Sequence, residues 1–290
     1  MKLEGENMKN IAIITDTDSS LPVDLTVQYG IRQVPINVII EGETYQTGVD
    51  IDDHLLFKML KQVKKYPTTS APSPEAFAKA FRAAILEGVQ SIICICVSGK
   101  VSSSYDAAVL ASQMFQHDMV VIDSQNLSMG QGFMVLTAAE AVLNGASRDE
   151  VLENLTLIRK RIHTFAVLPS LKYIALSGRL NKHSANFADL LDIKPILTVQ
   201  EGKLEAVSRQ RTVSKSIDKM FELMINACDG KAIERSAIIH ADCPEKVQNL
   251  QNKINISFPE LKPFLLSEFT PGLSLHTGPG TIGITILTRE

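Results

Sequence analysis

The sequence predicts an α/β protein of two domains, an N-terminal doubly wound, mainly parallel sheet and a C-terminal α/β domain with a mixed sheet. Three observations carry this prediction. Short apolar runs alternate with segments of helical period through the first half, the pattern of parallel βαβ units. Two consecutive helical segments, Gly130–Leu143 and Ser147–Ile162, then interrupt the alternation. Beyond them, Ile193–Val199 and Lys203–Val207 flank Glu201-Gly202 as a hairpin, which brings in antiparallel pairing. The domains are accordingly assigned to 8–162 and 163–290, and 290 residues at 45% hydrophobic content suffice for one large core or two smaller ones.

In chain order, Ile11–Ile14 reads as a strand, Pro22–Tyr29 as a helix and Val34–Ile40 as a second strand, closed by a turn at Glu41-Gly42-Glu43. Ile51–Lys65 has helical period, with Leu55, Leu56, Met59 and Val63 on one side. In Pro67-Thr68-Thr69-Ser70-Ala71-Pro72-Ser73-Pro74, three prolines hold a hydroxyl-rich loop nearly rigid. Ser73 suits the N-cap and Pro74 the first position of a helix over Pro74–Leu86. Strand Ser91–Val97, helix Ser102–Phe115 and strand Met119–Ile122 follow. The helix after Ser147 opens with the capping box Ser147-x-x-Glu150. In the second half, Phe165–Leu168, Ser236–His240, Phe264–Ser267 and Thr281–Leu287 read as strands, and Ser184–Leu191, Val213–Ala227 and Pro244–Ile256 as helices.

A formal charge of −3 gives no support for nucleic acid or an anionic membrane as partner. No apolar run approaches the roughly 20 residues of a membrane-spanning helix. The first seven residues are too polar for a signal peptide, and Met8 reads as a second start. Cys94 and Cys96 alternate in an apolar strand and so share a face, while Cys228 and Cys243 are isolated. Buried free thiols in a reducing cytoplasm follow as the default expectation, with no metal-ligand spacing.

In an open parallel sheet, ligands collect beyond the carboxyl ends of the strands. Four polar loops are candidates there: Thr15–Ser20, Pro67–Pro74, Ser98–Ser104 and Asp123–Asn126. Three of the four are dominated by hydroxyls, neutral donors that beside a helix N-terminus suit a carboxylate or a phosphate. Asp16-x-Asp18 after an apolar strand also allows a magnesium-dependent phosphatase or phosphotransferase, with one carboxylate as nucleophile and the other as general acid/base. The Gly-Thr that usually follows such a pair is Ser19-Ser20 here, and the alternative role for both carboxylates is to cap the coming turn. Near the C-terminus, His276-Thr277-Gly278-Pro279-Gly280 combines a histidine that can donate to an anion with glycines that let the backbone come close to a ligand. Arg179 in Ser177-Gly178-Arg179 is the remaining cationic turn.

Six motifs in this order resemble the DegV family of bacterial fatty-acid-binding proteins. Thr15–Pro22 resembles the family's opening D-S-T-x-D-L-P, and Thr69–Ser73 resembles T-S-Q-P-S. Val97–Tyr105 resembles S-S-x-L-S-G-T-Y, with Ser103 and Ser104 where the family has Gly and Thr. Val121–Ser124 with Ser128–Gly130 matches V-x-D-S…S-x-G, Ser177–Arg179 resembles G-G-R, and His276–Gly280 matches H-x-G-P-G.

The resemblance implies a two-domain protein that holds one long-chain fatty acid, palmitate for instance, between its domains. The resemblance further implies a role in lipid transport or phospholipid metabolism, without a cofactor and without catalysis of its own. It places Thr69 and Ser102 on the carboxylate and His276 near it, with Ser70, Ser103, Arg179 and Gly278 in supporting or partner-facing positions. Some members present the acid to a separate ATP-dependent fatty-acid kinase, where the position of Arg179 is implicated in the phosphoryl step.

Overall fold

The computed structural model describes residues 11–177, 193–257 and 264–290. The chain starts with β1 (Ile11–Asp16), a 3-10 turn at Thr17–Ser19, α1 (Val23–Gln28) and β2 (Arg32–Val34). The single strand expected over Val34–Ile40 is divided, because Pro35 has no N–H to continue a ladder and the chain leaves the first sheet there. β3 (Asn37–Ile40) and β4 (Glu43–Gln46) form a hairpin in a separate small sheet. α2 (Asp53–Leu60) is shorter than the helical period over Ile51–Lys65 suggests. Asp52 caps its start by accepting the Leu55 N–H at 2.7 Å. Past its end the backbone is drawn onto the β3–β4 turn, where the Lys64 N–H donates to Glu41 at 2.8 Å.

The proline-rich segment is not all loop. Thr68–Ser70 forms β5, antiparallel to β3 with Thr69 opposite Val38. α3 (Pro74–Leu86) begins as expected, with Ser73 Oγ accepting the Ala76 N–H at 3.2 Å. β6 (Ser91–Cys96), α4 (Ser104–Ser112), β7 (Asp118–Asp123), α5 (Met129–Leu143) and α6 (Arg148–Arg159) complete the first half, and the capping box at Ser147 and Glu150 is formed. α4 starts two residues later than expected because the Val101 and Ser102 N–H groups both turn back onto the Ser98 carbonyl.

The second half runs β8 (Ile162–Val167), α7 (Lys172–Leu176), β9 (Lys194–Gln200), β10 (Lys203–Gln210), α8 (Val213–Cys228), β11 (Ile233–His240), α9 (Pro244–Ser257), β12 (Leu265–Glu268), α10 (Pro271–Thr277) and β13 (Ile282–Thr288). The helix expected over Ser184–Leu191 lies outside the described residues.

The first sheet has the order β2-β1-β6-β7 and is parallel throughout. The large sheet, β10-β9-β8-β13-β11-β12, is antiparallel except at β11–β12, so the expected mixed sheet is present. Period-two alternation sets the layers. Ala12, Ile14, Ile92, Cys94 and Cys96 pack on Phe77 and Phe81 of α3 and on the alanines of α4. Ile13, Ile93 and Ile95 point the other way, onto Met129 and Phe133 of α5. The same apolar layer continues to Ala237, Ile239 and Leu287 of the large sheet, whose far face, including Ile282, Ile284 and Ile286, packs on α8 and α9. α5 therefore lies between two sheets, which is why it is apolar nearly all round rather than amphipathic. Among the described residues, no helix is long and apolar enough to cross a membrane.

Candidate functional site

A cavity of about 480 Å³ opens between the first-half loops and the inner face of β8, β9 and β10. That size falls in the roughly 300–1,000 Å³ range of small-molecule sites. Its walls are chemically divided. The hydroxyls of Thr69, Ser70, Ser102 and Ser103 come from the first half and stand with His276 of α10. Ala166 and Leu168 at β8, Leu197 and Val199 of β9, Leu204 of β10 and Ile174 of α7 supply an apolar surface. Alternation along β8 explains the split, since Phe165 and Val167 face α8 and α9 instead.

Each polar group is placed by a different element. Pairing with β3 fixes Thr69, and its Oγ1 lies 2.9 Å from His276 Nε2, a contact across 207 positions of sequence. Ser102 Oγ lies 3.0 Å from Ser104 Oγ and accepts the Ser104 N–H at 3.3 Å, at the entrance to α4. Ser103 stands at φ −86°, an ordinary conformation, so replacing the family's glycine there costs no backbone strain. Ser70 and Ser103 are exposed, whereas Thr69, Ser102 and His276 are half-buried.

His276 sits not in a loop but on α10, a seven-residue helix opened by Pro271. Besides the His276–Thr69 contact, three side-chain hydrogen bonds tie this helix and its cap to the first half. Thr270 donates to Asp18 at 3.4 Å, Ser274 donates to Asp53, and Tyr66 donates to the Leu275 carbonyl. Gly278 ends α10 at φ 84° and ψ 160°, a region essentially reserved for glycine. It does not line the cavity; a Cβ there would lie 2.2 Å from the Tyr173 ring. The close approach this glycine allows is to Tyr173. Gly278→Ala is expected to lower stability by about 1–3 kcal/mol from backbone strain alone. Urea denaturation measures this, and an unchanged midpoint would refute it. Arg179 lies outside the described residues.

The β9–β10 hairpin tip is tied to one of the first-half loops. Ser98 Oγ donates to the Gly202 carbonyl at 2.8 Å, joining the β9–β10 turn to the loop that carries Ser102. Glu201 and Gly202 both have positive φ, as a two-residue hairpin requires.

The Asp16–Asp18 pair serves the fold. Asp16 is fully buried, and its carboxylate accepts from Val97 N–H at 2.9 Å, Asp18 N–H at 3.1 Å and Gln131 Nε2 at 3.0 Å. Burial pushes its carboxyl up to about 6, against the pull of those hydrogen bonds. These three bonds, on a side chain with no exposure to solvent, hold Asp16 as a buried acceptor in the fold. Asp18 does line the cavity. Among the described residues, no group of three or more His, Cys, Asp or Glu is placed to hold a metal ion.

The hydroxyl motifs were visible in sequence, whereas Tyr66, Asp53 and the apolar wall were not. An alternating strand does not reveal which of its faces meets a cavity.

The chain is similar to known proteins over nearly its whole length. The DegV family model matches residues 10–289. A DegV domain-containing protein of Caldanaerobacter subterraneus subsp. tengcongensis is 33% identical over 278 residues, covering 96% of this chain and 98% of the relative. Among solved structures, a DegV family protein from Thermus thermophilus, described for its fatty-acid binding, is similar with a TM-score of 0.90 at 32% identity, covering 97% of this chain and all of that one (100%). DegV from Bacillus subtilis, described as a fatty acid binding protein, has a TM-score of 0.87 at 26% identity, with 97% and 100% covered. The match extends over nearly the full length of the chain and of these relatives, and this chain belongs to the DegV family.

Proposed function

We propose that the protein binds one long-chain fatty acid in the cavity. Its carboxylate rests on Thr69, Ser102 and His276, with Ser70 and Ser103 supporting at the mouth, and its tail lies over β8, β9 and β10. In this reading residues 8–162 form the head-group domain and 163–290 the domain that covers the tail. The observation that carries it is one cavity with a cluster of hydroxyls and His276 at the first-half loops and a largely aliphatic sheet wall interrupted by Thr164 and Thr198, which suits an acid with a long alkyl chain. The description of two relatives as fatty-acid binders points the same way.

The energetics suit this ligand. A buried methylene contributes about 0.8 kcal/mol, so a tail of roughly 15 contributes on the order of 10 kcal/mol before losses. Ordering the tail and losing translational freedom remove much of that. The head group then needs only its desolvation offset, which hydroxyl and imidazole N–H donors can supply. A carboxylate held this way stays available for transport or for presentation to a separate fatty-acid kinase. We place this role in the cytoplasm, in keeping with four buried, unpaired cysteines.

Native mass spectrometry of the protein purified without denaturation tests the reading. The expected spectrum contains a bound species that denaturation releases as a long-chain fatty acid. A ligand-free protein that also fails to take up added palmitate would overturn it, and magnesium-dependent phosphatase turnover would favour the Asp16–Asp18 alternative.

A further inference from the structure

We propose that Asp53 is the positioning residue of the head-group site, its buried carboxyl holding Ser274 of α10 and thereby setting where His276 stands against Thr69. This rests on the fatty-acid reading of the cavity, but its geometry is independent of any ligand. Asp53 lies at the start of α2 and is only 3% exposed, and Ser274 is 0% exposed. One carboxyl oxygen accepts from the Ser274 hydroxyl, while the other, Oδ1, is buried with no hydrogen-bond partner. His276 follows Ser274 by two residues on the same short helix and reaches Thr69 at 2.9 Å. The path from Asp53 to the cavity is therefore one hydrogen bond and half a helical turn.

The surroundings determine when this anchor holds. The charged groups facing Asp53 are Glu268 at the end of β12, Asp242 in the turn after β11, and Asp52, the cap of its own helix, all of the same sign. α10 contributes the Ser274 hydroxyl and, further along, His276. Burial first, and then these carboxylates, push Asp53 up to about 8 in spite of the Ser274 bond. At neutral pH the group is thus a neutral acid that packs against α10 without an uncompensated charge. Ionising it puts a negative charge among three others in a site from which water is excluded. The relief available is to part α2 from α10 and admit water, which moves His276 off Thr69.

The same proton also appears in stability. The folded protein keeps it up to about 8, whereas the ordinary carboxyl value is 3.8. Asp53 binds more protons folded than unfolded between those values, so stability falls as pH rises across that window and levels off above it. Urea midpoints of Asp53→Asn, compared with wild type over that range, are expected to lack this component.

Palmitate titrations of delipidated wild type, Asp53→Asn and Asp53→Leu at pH 7 and pH 9.5 test the assignment. They are paired with imidazole NMR of His276 in the lipid-free proteins. Circular dichroism establishes that each variant is folded. Wild type is expected to lose roughly five- to tenfold in palmitate affinity at the higher pH, the worth of one tether hydrogen bond. Its His276 ring resonances move through a midpoint near 8, matching Asp53. Asp53→Asn keeps the acceptor without the charge, so it binds like wild type at pH 7 and shows neither change. Asp53→Leu keeps no acceptor and binds weakly at both. An Asp53→Asn protein that follows the wild-type pH dependence, or an Asp53→Leu protein with wild-type affinity and ring shifts, overturns the proposal. If wild type binds no palmitate at either pH, the fatty-acid reading fails, and the His276 resonances still decide the role of Asp53.

Discussion

Replacing Thr69 and Ser102 together by alanine is expected to abolish retention of palmitate while leaving the fold intact. Each hydroxyl donates to a charged group in the proposed complex, and such bonds contribute about 1.5–3 kcal/mol each. Losing both therefore weakens binding by roughly 10²- to 10⁴-fold, within the uncertainty that neighbouring groups do not add. Neither side chain is needed for the core: Thr69 is half-buried on a three-residue strand, and the Ser102 hydroxyl bonds only to its neighbour Ser104 among the contacts described. Isothermal titration with palmitate, alongside circular dichroism, measures the two effects separately. A folded double variant with wild-type affinity would remove the head-group assignment while leaving the apolar wall as the binding surface.

The second large effect concerns stability. Phe133 of α5 is 0% exposed in the layer shared by the parallel sheet and the mixed sheet. Truncation to alanine leaves a cavity that neither sheet can collapse into without losing its own pairing. The expected cost is about 3–5 kcal/mol, at the upper end for a buried aromatic. Because the layer joins Ile13, Ile93 and Ile95 on one side to Ala237 and Ile239 on the other, the loss falls on both halves. Urea unfolding followed by two probes, one in each half, is expected to show both transitions shifting together. A variant in which only one half is destabilised would show that α5 belongs energetically to one sheet alone.

Legibility in the sequence followed the range of the interactions. Ser73-Pro74 and the Ser147–Glu150 box are read correctly because a helix cap is completed within four residues. The buried pair Cys94 and Cys96 and the mixed second sheet were likewise legible, since alternation and a Glu201-Gly202 turn are local. Errors appear where a distant contact outweighs local preference. β5 escapes notice because three residues between prolines gain strand geometry only from β3, some 30 positions earlier. α10 escapes because seven residues beginning Pro271-Gly272 have little intrinsic helicity and are held by Asp18, Asp53 and Tyr66.

By itself, then, the sequence determined the α/β class, the order of most elements and the hydroxyl motifs that mark the family, all of which are encoded in neighbouring residues. Only the tertiary structure decided that Thr69 and His276 meet at 2.9 Å, that β8, β9 and β10 turn their aliphatic face toward them, and that Gly278 makes room for Tyr173. It also turned Asp16 from a candidate nucleophile into a buried acceptor. The physical reason is the same in each case. A side chain's chemistry is set by what it is buried against, and the chain brings those partners from as far as 207 positions away.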